Sequence, residues 1–150
     1  MQITQDYRRT INASCTAGEA FEKVGNIADW WYLNVVGETH ALGGEFTIQF
    51  AEDIFVSFKI TEAVSGQRIA WQVEDCNLSW LTNKTEWNGT RVIFDIATNS
   101  GETTVTMTHE GLQPQKECFE DCQAGWNRFF GESLAHYLNT GQGMPEGMKA

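Results

Sequence analysis

The chain has 150 residues, 41% hydrophobic and 12% aromatic, which suits a globular domain with one substantial core and is too apolar for a disordered chain. Its 10 Lys and Arg against 20 Asp and Glu give a formal net charge of -10 with no offsetting basic patch, which argues against nucleic acid and anionic membranes as partners. No apolar run approaches the roughly 20 residues that span a bilayer, and the start "MQITQDYRRTINAS" has no apolar signal region, so we expect one cytoplasmic domain over residues 1–150 with its four cysteines reduced.

Loose alternation from Ile3 to Ala13 predicts a strand with Ile3, Tyr7, Arg9 and Ile11 on one face. "SCTAGEAFEKVGNIADWWY" then changes to helical spacing at Ala20, Phe21, Val24 and Ile27. Ser14 or Thr16 is the N-cap, and Gly25 divides a short helix from a second turn ending near Trp30 and Trp31. After Gly43-Gly44 the period falls to two. Phe46, Ile48 and Phe50 share a face, as do Val56, Phe58 and Ile60, and then Ile69, Trp71 and Val73. Val92, Phe94 and Ile96 form the next set, and Val105, Met107 and His109 the last. The alternate positions are mostly polar, the pattern of an antiparallel sheet with one wet face. Ser65-Gly66, Asn88-Gly89 and Ser100-Gly101 mark turns. "CNLSWLTNKTEW" is irregular and reads as a loop or strand extension capped by Trp80 and Trp87.

A long helix is predicted from Lys116 to Asn139, stopped by Gly141. Its apolar stripe holds Cys118, Phe119, Cys122, Trp126, Phe129, Phe130, Ser133 and Tyr137. Cys122 and Ser133 are small residues among large rings. Two readings stay open: the rings pack into a closed core, or the small residues leave room for a ligand between helix and sheet. In the second, the cavity wall is Trp31 with Phe46, Ile48, Phe58, Ile60, Trp71, Val73, Val92, Phe94, Val105, Met107 and His109 of the strands, and Cys122, Trp126, Phe129, Phe130 and Ser133 of the helix. Gly125, at the edge of the stripe, predicts a close approach by a strand or the short helices. Gly131 falls near the exposed side with no role assigned.

Few residues suggest chemistry. His109 points inward at a strand end, either as a hydrogen-bonded structural imidazole or as a proton donor to a ligand. Arg9, on the inward face, needs a carboxylate, from the protein or from a ligand. Cys118 and Cys122 are one turn apart, but no second pair completes a zinc site, and buried free thiols are expected. No phosphate-cradling loop, nucleophile elbow or dinucleotide fingerprint is present. The residues assign no catalytic group, no metal and no cofactor.

"ADWW", "GGEF", "THEGL", and "GW" followed by "SLAHYLNTGQG" occur in an order and spacing that resembles the activator of heat-shock-protein-90 ATPase homologue family, of the START-like (SRPBCC) superfamily. The resemblance covers nearly the whole chain. Cys15 stands where the family commonly has proline, and the "CNLSWLTNKTEW" region is longer and more aromatic than usual. The resemblance implies an α+β helix-grip fold: a curved antiparallel sheet of about six strands wrapped around the long C-terminal helix, with short helices between strands 1 and 2. The segment order read from periodicity agrees. The implied function is binding of a small hydrophobic molecule, lipid-like or aromatic, in a cavity between sheet and helix. A cyclase- or aromatase-like enzyme drawing on His109, Arg9 and Ser133, and a co-chaperone module acting on heat-shock protein 90, are the alternatives.

Overall fold

The computed structural model describes residues 6–146, so the predicted inward position of Ile3 lies outside the described residues. β1 (Tyr7–Ala13) is followed by α1 (Ala17–Gly25) and α2 (Ile27–Trp30). Six further strands follow: β2 (Val35–Gly37), β3 (Glu45–Ala51), β4 (Ile54–Val64), β5 (Arg68–Asn77), β6 (Arg91–Asn99) and β7 (Glu102–Glu110). The C-terminal helix runs through α3 (Phe119–Arg128), a π-helical segment (Phe129–Leu134) and α4 (Ala135–Thr140). Among the described residues no helix is long and apolar enough to cross a membrane.

The strands form one antiparallel sheet in the order β1-β7-β6-β5-β4-β3-β2. Its seventh strand, β2, is only "VVG", too short for alternation to register, and it pairs at the edge with Thr47 and its neighbours. The register of β4 shifts twice against β5, at Ser57/Phe58 and at Ile60/Glu62, and β3 shifts against β4 near Ala51. Each irregularity bends a strand and increases its twist. The sheet therefore curls around the helix rather than lying flat beneath it.

Local signals set the element ends. Thr16 caps α1 by accepting from the Glu19 amide at 3.1 Å, while Glu19 returns a bond to the Thr16 amide at 3.1 Å. Gly141, at φ 87°, closes α4 with its amide donating to the Tyr137 carbonyl at 2.8 Å. The helix begins at Phe119, later than the predicted Lys116.

The centre of the helix–sheet seam is solid. Phe46, Ile48, Phe58, Ile60, Trp71, Val73, Val92, Phe94, Val105 and Met107 are each at most 2% exposed. Trp30 stacks on Trp31 with centroids 5.8 Å apart, Trp31 lies parallel to Trp71 at 6.2 Å, and Phe94 meets Trp71 edge-on at 4.9 Å. Phe130 on the helix packs against Phe94 at 6.0 Å.

The close approach expected at Gly125 occurs instead at Gly131, to which the sequence assigns no role. A Cβ on Gly131 would sit 2.5 Å from Cζ of Arg9, whose guanidinium crosses the helix there and donates to Asn127 Oδ1 at 3.1 Å. A Cβ on Gly125 would meet nothing within 4 Å. Gly125→Ala should therefore give the gain of about 1 kcal/mol usual for a helix glycine. Gly131→Ala should give none, because Arg9 must move. Urea denaturation of the two variants side by side is the check.

Candidate functional site

The seam fails to close at one end. A cavity of about 210 Å³ opens between the β3–β4 hairpin, the β5–β6 loop and α3. Phe50, Ile54 and Val56 form one side, Leu78, Trp80 and Trp87 a second, and Cys122, Gly125, Trp126 and Phe129 a third, with Trp31 at the inner end. Asp121 at the rim is the one charged side chain in the lining. Space exists here because the helix stripe carries Cys122 and Gly125 on consecutive turns, while the rings around them are too rigid to collapse inward.

Of the residues predicted to line a cavity, the structure brings Trp31, Cys122, Trp126 and Phe129 to this space. Phe46, Ile48, Phe58, Ile60, Trp71, Val73, Val92, Phe94, Val105, Met107 and Phe130 pack into the core beyond Trp31 and do not reach it. Ser133 is also buried. Its hydroxyl donates to the Trp30 carbonyl at 2.7 Å and accepts from the Met144 amide at 2.7 Å, so its small size accommodates the C-terminal segment. Phe50, Ile54, Val56, Leu78, Trp80, Trp87, Asp121 and Gly125 complete the lining and lie outside the predicted wall. Phe50 and Val56 carried the inward alternation signal, and the crowding of tryptophans in "CNLSWLTNKTEW" was the signal for the loop.

His109 stands behind the cavity, fully buried. Its Nδ1 accepts from Trp126 Nε1–H at 3.0 Å, which in the neutral ring leaves the hydrogen on Nε2. Nε2 then donates to Thr90 Oγ1 at 2.9 Å, and that hydroxyl donates to the Trp87 carbonyl at 2.7 Å. Trp87 lies edge-on to the imidazole at 4.6 Å and parallel to Trp126 at 6.3 Å. Burial pushes the His109 pKa down to about 3, so the ring stays neutral throughout the physiological range. The imidazole orients two tryptophans of the wall and has no free nitrogen for a ligand.

Trp87 also donates to Cys118 Sγ at 3.2 Å. The hydrogen bond that the Cys122 thiol donates to Cys118, together with burial, pushes the Cys122 pKa far up, which makes it a poor nucleophile in spite of its place in the lining. Among the described residues no group of His, Cys, Asp and Glu side chains is arranged to hold a metal ion. Arg9 reaches the sheet edge and Asn127, away from the cavity.

The loop that carries Trp80 and Trp87 is clasped to the start of the helix. Glu117 accepts from the Thr82 and Asn83 amides at 2.8 and 3.1 Å, and Glu86 accepts from the Glu117 and Cys118 amides at 2.9 and 3.0 Å. The amides it receives hold the Glu117 carboxyl below the ordinary glutamate range. In Glu117→Ala the Thr82 and Asn83 amides should lose protection, so their hydrogen exchange should accelerate while that of β6 is unchanged.

A curved antiparallel sheet gripping a long C-terminal helix, with an apolar cavity left at one end of the grip, defines a START-like helix-grip protein. The family profile of the Activator of Hsp90 ATPase homolog 1-like proteins matches residues 19–139, and the chain belongs to that family. Among solved structures it is similar to the Aha1 dimer from Colwellia psychrerythraea, at TM-score 0.71 and 20% identity over 95% of this chain and 100% of that one. A Staphylococcus saprophyticus protein follows at TM-score 0.69 and 18% identity, covering 93% and 96% of the two chains. CalU16 from Micromonospora echinospora is similar at TM-score 0.65 and 14% identity, covering 95% and 88%. At these identities the likeness shows the fold. No curated protein matches the sequence.

Proposed function

We propose that this chain is a binding protein for a small apolar molecule with one or two rings, held at the open end of the helix–sheet seam. The observation that carries the reading is the cavity itself, walled by aromatic and aliphatic side chains that meet across three separate elements. Its volume of about 210 Å³ lies above the ~150 Å³ that accommodates benzene and below the ~300 Å³ where drug-sized pockets begin. Such a space suits a compact ring better than an acyl chain.

A cyclase-like reaction is less well supported, because the three polar groups it would draw on are already engaged. His109 is sealed between Trp126 and Thr90, Ser133 between Trp30 and Met144, and Arg9 is turned to Asn127.

Titration with naphthalene, followed by the indole N–H signals of the protein, tests the proposal. The resonances of Trp87 and Trp126 should shift saturably, with little change at Trp71, which is separated from the cavity by the Trp31 ring. Absence of any saturable shift would sink it.

A further inference from the structure

We infer that the occupant of this cavity is an organic cation: a small aromatic molecule ending in a tertiary or quaternary ammonium. The inference rests on the binding function just proposed and specifies its ligand class.

Six rings line the cavity of about 210 Å³, and four of them are the indoles of Trp31, Trp80, Trp87 and Trp126, joined by Phe50 and Phe129. Indole has the strongest negative face among the aromatic side chains, so a box of indoles attracts a desolvated cation as well as an apolar body. The walls are set at mixed inclinations: Trp31 makes 43° with Trp126 at 4.7 Å and 56° with Phe50 at 5.8 Å, while Trp87 and Trp126 lie within 11° of parallel at 6.3 Å. The tilted rings leave a rounded space that suits an ammonium head group. A simple hydrophobic pocket could be lined with Leu and Val; here aliphatic side chains are the minority of the lining.

Charge points the same way. Asp121 is exposed at the rim and has no hydrogen bond or ion pair among the described residues. Arg128 pairs with Glu146, and its guanidinium lies 5.5 Å from the centroid of the Phe129 ring. The chain as a whole carries a net charge of -10, which favours the approach of cations. His109, behind the tryptophans, is neutral and adds no opposing charge.

The decisive comparison uses two molecules of nearly the same shape, phenyltrimethylammonium and tert-butylbenzene. A pocket that is merely apolar prefers the neutral hydrocarbon, because the cation must give up its hydration. A cation-binding box reverses the order, and we expect phenyltrimethylammonium to bind about tenfold more tightly, read by tryptophan fluorescence and indole N–H shifts. Asp121→Asn, at an exposed position, should reduce that cation-to-neutral ratio by a few fold, with circular dichroism confirming an unchanged fold. If tert-butylbenzene binds as well as or better than the cation, this inference falls while the apolar-ligand function stands. If neither binds, both fall. A cation preference that Asp121→Asn leaves untouched keeps the ring box and removes the carboxylate from it.

Discussion

Moving from pH 7 to pH 4.5 should cost the native state roughly 2–3 kcal/mol through His109 alone, and more by pH 3. The imidazole has its pKa pushed from 6.5 down to about 3 by complete burial, only slightly opposed by Asp6. Below pH 6.5 the unfolded chain takes up a proton at this position and the folded chain does not. The stability that neutral burial maintains is thus fully present above pH 6.5 and drains away as the pH falls toward 3. Carboxylates held by backbone amides, such as Glu19, Glu38 and Glu117, add their own acid sensitivity. The His109 share is isolated by difference. His109→Gln can still accept from Trp126 and donate to Thr90 without titrating, so its urea-unfolding free energy should fall by roughly 2–3 kcal/mol less than the wild type between pH 7 and pH 4.5. Equal pH slopes for the two proteins would show that the imidazole is protonated in the native state or is not sealed.

The second large effect is expected at Trp31. This ring stacks between Trp30 and Trp71, is tilted against Phe50, Phe58 and Trp126, and is only 4% exposed. Trp31→Ala should lose about 3–5 kcal/mol, the usual range for removing a large buried aromatic. The same truncation joins the vacated space to the existing cavity, deepening it toward Trp71. N-phenyl-1-naphthylamine, with three rings, should then fluoresce on binding the variant and stay dim with the wild type. If Trp31→Ala proves too unstable to study, Trp31→Leu retains part of the packing and should show the same gain in smaller measure. A loss below about 1 kcal/mol, or no gain in probe binding, would mean that Trp31 is not the inner wall.

These two residues show what could be read before the structure was known. The inward positions of the strands were legible because a half-buried sheet imposes a period of two, and Phe46, Trp71, Phe94 and Met107 all obey it. The long helix was legible for the same kind of reason, and so were its glycine stop and the N-cap of α1. What alternation cannot reveal is which inward rings meet one another and which face a gap. Cys122 and Ser133 looked equivalent on the helix stripe, yet one borders open space and the other is filled by hydrogen bonds to Trp30 and Met144. The difference depends on the C-terminal segment folding back across the short helices, a long-range contact with no local signature. The π-helical segment is similarly silent in sequence. It advances the register by part of a turn, so Phe130 and Leu134 become the fully buried positions while Phe129 is left at the cavity edge. Gly131 had no visible purpose because its partner, Arg9, lies more than a hundred residues earlier.

The crossed carboxylates of Glu86 and Glu117 have a consequence for how the mouth of the cavity moves. Each acid ties up backbone amides belonging to the other's segment, so each segment helps to hold the other. Swinging the tryptophan-bearing loop outward frees the Glu117 and Cys118 amides at the turn that leads into α3. Unwinding that turn likewise releases the loop. Outward movement of the loop and fraying of the chain ahead of α3 should therefore be coupled, with hydrogen exchange at Thr82, Asn83, Glu117 and Cys118 rising together.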